Sequence, residues 1–402
     1  MQCDSPCIQK QVVPPSHSRP LSPRIQRPAS PAGSSPACVT SLANGQYQRE
    51  IRPLSKAPAA AFKNISEWIR MKAIISETPG GPETLQFREV RDPVVRGGEI
   101  LIGVKACGVN FPDVLIIDDR YQIKPQRPFT PGTEVSGVVI SVAPDVEHFK
   151  AGDRVIGFGT HGGLAERIAL PATTCTAIPE DMPFDDAAVF MNTYGTAYYG
   201  LKTKGRLLSG ETLLVLGAAG GTGSAAVELG KALGARVVGA VSSQEKAEFV
   251  MSRGADECVI YPTGSFADTD RKALANLFKS ACGPKGADVI YDPVGGDYTE
   301  AAIRAVARNG RHLIVGFTAG VARIPMNLPL LKSCEILGVF YDAFTQNEHA
   351  SSSRNNSELL SLYASNKIKP AISERFPLDQ AATALKKLAE RHALGKLVVV
   401  VE

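Results

Sequence analysis

Four glycines within seven residues, Gly217, Gly220, Gly221 and Gly223, form the densest chemical signal in the chain. They follow a short apolar run, Thr212 to Leu216, of the kind that makes a buried parallel strand. They precede Ser224 to Leu233, which has helical spacing and stops at Gly234. Strand, glycine turn and helix together aim backbone N–H groups and a helix N-terminus at an anion, and bare Cα atoms let a pyrophosphate come close. Glycine turns of this kind also occur without a ligand, so the flanking strand and helix carry the reading.

Farther along, the strand Arg236–Val241 ends in Ser242, Ser243, Gln244, Glu245 and Lys246. A site for an unphosphorylated ribose would usually place Asp or Glu at that strand end, to hold the 2′-hydroxyl. Two hydroxyls and a nearby cation suit a 2′-phosphate instead, whose charge an Asp would repel. NADPH is therefore favoured over NADH. The same serines also suit capping of the helix that carries Lys246, with Lys246 solvated on its face.

These residues need a sheet to position them. Beyond Arg236–Val241, strands fit Glu257–Ile260, Ala287–Tyr291, Arg311–Gly316 and Glu335–Phe340, with helical segments between most of them. With Thr212–Leu216 that makes six strands in a doubly wound order. Upstream, Met71–Ile75, Glu99–Ala106, Val135–Val142, Arg154–Ile156 and Ala165–Leu170 are short strand candidates separated by Gly, Pro and Asp. They predict a compact, largely antiparallel β-domain. Phe184–Gly200 reads as a helix leading into the doubly wound part. A helix around Asp379–Arg391 and a strand Lys396–Val401 have no place in that sheet and are expected to return to the β-domain. The expected partition is 71–194 and 343–402 for the β-rich domain and 195–342 for the dinucleotide-binding domain, an α/β protein in all.

Residues 1–70 have a different character, with ten Pro, ten Ser and nine Lys/Arg against Asp4, Glu50 and Glu67. Such a stretch cannot bury enough apolar surface to offset its ordering entropy, so a disordered extension is expected. Its Ser-rich, Arg-containing, acid-poor composition suits a mitochondrial or plastid transit peptide. A plain extension, or a start at Met71, fits equally, and would leave the protein cytoplasmic. The whole-chain charge of +4 belongs to this segment, leaving the remainder slightly acidic and giving no reason to expect nucleic acid. No run of 18 apolar residues predicts a transmembrane helix. The eight cysteines include no C-x-x-C pair or Cys/His cluster with zinc spacing, and read as small apolar residues in a reducing compartment.

Several separate motifs resemble one family. They are Gly108-Val-Asn-Phe-Pro-Asp113, Pro131-Gly-Thr-Glu134, Gly152-Asp-Arg-Val155, Thr196-Ala-Tyr198, Ala218-Ala-Gly-Gly-Thr-Gly223, Asp292-Pro-Val-Gly-Gly296 and Gly395-Lys396. From about residue 71 onward the chain resembles the zinc-free quinone oxidoreductase (zeta-crystallin-like) branch of the medium-chain dehydrogenase/reductases. The resemblance implies a GroES-like catalytic domain interrupted by a Rossmann domain with a doubly wound parallel sheet. Zinc-dependent relatives place Cys where Asn110 stands and His where Thr133 stands. An amide and a hydroxyl do not replace those ligands, so no metal site is expected.

The resemblance also implies residue roles. Asn110 would line the nicotinamide pocket and could hydrogen-bond a substrate carbonyl, the alternative being a polar turn residue. Tyr121 occupies a cofactor- and substrate-contacting tyrosine position, the alternative being a rim aromatic packed on Pro128. Ala219, Gly220, Gly221 and Thr222 would face the pyrophosphate, and Ser242, Lys246 and Tyr261 would surround the 2′-phosphate. Gly316, Phe317 and Thr318, with Gly338, Val339 and Phe340, would frame the nicotinamide. Lys396 would join the cofactor site, although a Gly-Lys turn entering a terminal strand needs no ligand. Leu115 departs from a tyrosine that some relatives carry, which alters the acceptor pocket.

The implied activity is zinc-independent, NADPH-dependent reduction of a small-molecule quinone or α,β-unsaturated carbonyl. Such an acceptor is already polarised and needs only alignment and a hydrogen bond to its carbonyl. An enoyl-thioester reductase of organellar fatty-acid synthesis is the alternative, since Asn192 precedes Thr196-Ala-Tyr198 as in that group. A non-catalytic NADPH-binding protein is the third reading. A homodimer is expected through Ile336–Phe340, apolar on both faces and placed at a sheet edge.

Overall fold

The computed structural model describes residues 70–402 apart from Ser265. The Pro- and Ser-rich stretch expected to be an extension or transit peptide lies outside the described residues, Arg70 excepted. Two larger sheets carry the architecture. In chain order the strands are β1 (Arg70–Ile75), β2 (Gln86–Arg91), β3 (Glu99–Val109), β4 (Glu134–Val142), β5 (Arg154–Phe158), β6 (Arg167–Pro171) and β7 (Cys175–Ala177). There follow β8 (Thr212–Leu216), β9 (Arg236–Val241), β10 (Glu257–Ile260), β11 (Ala287–Asp292), β12 (Val306–Ile314), β13 (Glu335–Gly338), β14 (Ile372–Pro377) and β15 (Lys396–Val400).

The second sheet runs β10-β9-β8-β11-β12-β13, every neighbouring pair parallel. This is the doubly wound order expected, and its direction reverses between β8 and β11. Val- and Leu-rich β8 and β9 are buried because helices cover both faces. The turn after β8 therefore opens at the switch point. Gly217 has φ +57°, and a β-carbon on Gly223 would lie 2.3 Å from the Gly217 carbonyl oxygen. Only glycine lets the following helix, Gly221–Ala232, start this close to the strand.

The other large sheet runs β14-β15-β3-β4-β5-β7, with β6 also on β3, and is antiparallel except for β14 and β15. The C-terminal strand does return to it: Leu397 pairs with Val109 and Val398 with Gly108. The helix Ala381–Ala389 closes this core through Ala384 and Leu385. Inward residues of β3, Ile100, Ile102 and Val104, alternate with outward ones, as a half-covered sheet requires.

Three local expectations are corrected. Phe184–Gly200 is not one helix: an α-turn at Phe184–Ala187 gives way to π-helical segments at Met191–Gly195 and Tyr199–Lys204. The Asn192 N–H donates to the buried Glu134 Oε1 at 2.8 Å, which diverts it from a regular helical ladder. The strand expected at 311–316 begins earlier, at Val306, and ends at Ile314. The strand expected to reach Phe340 stops at Gly338, because Phe340 caps the helix Tyr341–Asn347. No helix among the described residues is long and apolar enough to cross a membrane.

Candidate active site

Two connected clefts follow from this chain path. One, of about 540 Å³, runs over the glycine turn and is lined by Ala219, Gly220, Gly221, Thr222, Ser242, Lys246, Tyr261 and Lys396. The other, of about 1550 Å³, is lined by Tyr121, Gly316, Phe317, Thr318, Gly338, Val339 and Phe340. Phe111, Pro112, Asn192, Thr222 and Thr318 border both, so the two are halves of one groove.

The narrower half meets the demands of a dinucleotide. At Gly221 a β-carbon would fall 2.8 Å from Lys396 Cδ, whereas at Gly220 nothing stands closer than 3.4 Å. The cradle is therefore shaped by bare backbone. At its far end Lys246 Nζ donates to Ser242 Oγ at 3.3 Å and to the Arg391 carbonyl at 3.4 Å. Ser243 does cap the helix Gln244–Ser252, its Oγ accepting from Lys246 N–H at 3.3 Å. The capping role thus falls to Ser243, while Ser242 and the Lys246 head line the cleft. Tyr261 tilts against Tyr298, ring centroids 4.9 Å apart, and closes that end.

Arg391 was missed in the sequence. It lies at φ +61° just past the C-terminal helix, borders both clefts, and donates to the Thr318 carbonyl at 2.7 Å. Glu390 is the lone carboxylate among the residues lining the narrower cleft, and it pairs with His392 at 3.5 Å. Lys246 and Arg391, two cations beside the Ser242 hydroxyl, fit a phosphate better than a bare ribose.

Under the junction lies a buried polar cluster built where β15 meets β3. Lys396 Nζ donates to the Val109 carbonyl at 2.6 Å and to Asn110 Oδ1 at 2.5 Å. Asn110 Nδ2 donates to the Gly108 carbonyl at 3.3 Å, and Asp113 Oδ2 accepts from Asn110 N–H at 2.8 Å. Burial pushes the Asp113 carboxyl up to about 6, against its hydrogen bonds and Lys396. Burial likewise raises Glu134 and lowers Lys396, and each opposes the other's shift. The sequence placed Asn110 in the nicotinamide pocket, able to hydrogen-bond a substrate carbonyl, and Lys396 in the cofactor site. Both line the narrower cleft, where their polar heads are hydrogen-bonded to each other and to the Gly108 and Val109 carbonyls. Among the described residues, no group of three or more His, Cys, Asp or Glu side chains is placed to hold a metal ion.

The loops over the junction are held by Asp292. Its Oδ1 accepts from the N–H groups of Val294 and Gly295, both at 2.9 Å, and its Oδ2 from Thr299 at 2.6 Å and His312 at 3.1 Å. Burial alone would raise this carboxyl, but His312 and these donors bring it below the ordinary aspartate range. Gly295 lies against Phe317 and the Gly320 carbonyl, which fixes the Gly316–Thr318 turn in the groove. Phe317 and Phe340 project there with about half their surface exposed. Tyr121 packs on Ile116, Ile117 and Phe129 and donates its hydroxyl to Asp342 Oδ2 at 3.4 Å.

Comparison with known proteins agrees with this geometry. Residues 96–180 match the model described as alcohol dehydrogenase GroES-like domain, and residues 253–399 the one described as zinc-binding dehydrogenase. The quinone oxidoreductase-like protein 2 homolog of Nematostella vectensis is 33% identical, over 88% of this chain and 97% of its own length. Quinone oxidoreductase-like protein 2 of Bos taurus is 36% identical, over 78% of this chain and 88% of its own. The crystal structure of Escherichia coli quinone oxidoreductase complexed with NADPH superposes with a TM-score of 0.75 at 29% identity, covering 82% of this chain and 99% of that one. With its interrupted GroES-like domain, doubly wound sheet and these relatives, the chain belongs to the quinone oxidoreductase branch of the medium-chain dehydrogenase/reductase superfamily.

Proposed function

We propose that the protein is an NADPH-dependent reductase of quinones or α,β-unsaturated carbonyls that works without a metal. The observation that carries this is the groove itself. A phosphate-suited end with Ser242, Lys246 and Arg391 leads over the bare glycine turn into a wide cleft walled by Leu115, Tyr121, Phe158, Phe317 and Phe340. NADPH, when bound, supplies the hydride. Gly220, Gly221 and Thr222 would hold its pyrophosphate, and Ser242, Lys246, Tyr261 and Arg391 its adenosine end. Gly316–Thr318 and Gly338–Phe340 would frame its nicotinamide. The apolar walls exclude water and align a flat acceptor, while the Tyr121 hydroxyl in the wall would donate to its carbonyl.

The enoyl-thioester alternative calls for a basic platform that docks an acyl carrier. Arg120 and Arg167 line the wide cleft but pair with Asp118 at 2.6 Å and Asp92 at 2.7 Å, which leaves Arg391, at the junction with the narrower cleft, as the cation there without a carboxylate partner among the described residues. A steady-state screen of NADPH oxidation with a quinone, a 2-alkenal and an enoyl-CoA separates the readings. Turnover of the first two is expected. Turnover of enoyl-CoA alone would establish the alternative, and turnover of none would leave a dinucleotide-binding protein. Metal analysis should find no stoichiometric zinc, and a chelator should leave the rate unchanged.

The homodimer belongs to this reading as well. β13 is an edge strand, and Val321, Met326, Leu330 and Leu331 nearby are each 73–78% exposed. A second copy across a two-fold axis would cover this edge and the apolar side chains beside it.

A further inference from the structure

We propose that Asp342 is the proton source of the active site, delivering to the acceptor through the Tyr121 hydroxyl. This rests on the reading of the chain as a hydride-transferring reductase. Reducing a conjugated carbonyl takes a proton as well as a hydride, and neither motif nor resemblance assigns a donor.

The two residues reach the wide cleft from different elements. Tyr121 lies on the loop after the helix Phe111–Ile117 and is held by the Ile116, Ile117 and Phe129 packing. Asp342 lies in the first turn of the helix Tyr341–Asn347, just beyond the Gly338–Phe340 segment. Their oxygens are 3.4 Å apart, long for an O–H···O bond, as catalytic contacts often are before substrate tightens them. Burial, then the Asp342 charge, keeps the Tyr121 phenol protonated far above the ordinary phenol range. Such a phenol is a weak acid unless its proton is replaced in the same step. Burial raises the Asp342 carboxyl too, with the Tyr121 hydrogen bond opposing, so a proton is retained there to higher pH.

Other groups face the pair. Asp113 adds negative field at Tyr121, and Tyr341 feels Asp342 from the same helix. Arg120, Arg167 and Arg391 line the cleft, the first two already paired. His161 lines it as well, but burial lowers its pKa and its Nδ1 is engaged by the Thr160 hydroxyl at 2.9 Å. Asp342 is the carboxylate coupled directly to the Tyr121 hydroxyl in the wall.

The step balances as follows. Hydride addition forms a C–H bond on the acceptor and moves the π electrons to its carbonyl oxygen. That oxygen takes the Tyr121 Oη proton, forming an O–H bond as the phenol O–H breaks. Tyr121 Oη takes the Asp342 carboxyl proton, and the Asp342 carboxylate recovers one from water.

The test has two arms. In cofactor-free protein carrying ¹³C at aspartate carboxyls, one resonance besides that of Asp113 should titrate above the ordinary aspartate range. It should vanish in Asp342→Asn and move higher in Tyr121→Phe, which removes a hydrogen bond from the carboxylate. With a 2-alkenal, each substitution should lower kcat roughly tenfold or more. The double variant should be no worse than the poorer single one, as a shared step requires. Asp342→Glu should restore part of the rate, and the wild-type rate should fall at alkaline pH in a limb that Asp342→Asn lacks. A wild type that reduces the alkenal while Asp342→Asn matches its kcat and pH profile overturns the relay and leaves the function standing. A wild type that binds NADPH yet reduces no acceptor overturns both. Should Asp342→Asn fail to fold, Tyr121→Phe decides alone: an unmoved aspartate titration with wild-type kcat overturns the relay.

Discussion

Replacing Lys246 by Ala isolates the part of the groove that distinguishes a phosphorylated from a free ribose. Its ammonium is placed by Ser242 Oγ and the Arg391 carbonyl, neither of which neutralises it, so its charge is available to a ligand. A charge-assisted hydrogen bond contributes about 1.5–3 kcal/mol. Lys246 is partly solvated, and water and salt screen it, so the lower end applies. A loss of about 1.5 kcal/mol is roughly tenfold in Kd. Fluorescence titration of Lys246→Ala should show NADPH weakened by about that factor and NADH nearly unchanged, the gap narrowing as salt rises. Arg391→Ala should do the same and also free the Thr318 carbonyl it holds, so some NADH affinity should go with it. Ser242→Asp should invert the preference, because a carboxylate there repels the phosphate and accepts from the 2′-hydroxyl. Equal losses of NADPH and NADH in Lys246→Ala would refute the assignment of this end of the groove.

Gly223→Val should abolish NADPH binding and lower Tm, because its β-carbon would meet the Gly217 carbonyl; NADPH titration and thermal melts check both. Lys396→Met leaves Asp113 and Glu134 buried without their cation and should cost about 3–5 kcal/mol near neutral pH. Both folded carboxyl pKa values already stand above ordinary ones and lose the cation that holds them down, so this variant should be least impaired at acid pH and lose stability as pH rises above the ordinary carboxylate range, by denaturant titration. Leu331→Asp should yield monomers by sedimentation if the β13 edge pairs with a second copy; a wild type already monomeric at micromolar concentration would refute the dimer. Val339 is a poor choice for that test, because it is 7% exposed and a charge there would unsettle the core.

What the sequence discloses and what it hides divide along one physical line. The glycine turn, β8 and the helix after it are contiguous, so their periodicity, the φ +57° demand at Gly217 and the close approach at Gly223 are all local facts. Ser242 and Lys246 stand one strand away and inherit that clarity. Arg391 and Lys396 become site residues only because β15 inserts beside β3, which sets Lys396 against Asn110 across 286 residues of chain. No spacing rule encodes such a crossing, and Gly395-Lys396 reads equally well as the start of an ordinary strand. Asp342 is hidden for the same reason, since its partner Tyr121 lies 221 residues away. The break in the segment 184–200 is another long-range effect, a helical pattern diverted at Asn192 by a carboxylate on β4. Arg391 and Asp342, the residues that escaped notice, thus owe their place in the groove to contacts distant in sequence. A ligand spanning the glycine turn and Arg391 would touch both that turn and the returning C-terminal segment, so its binding should stabilise the docked C-terminal segment together with the cleft, not either alone.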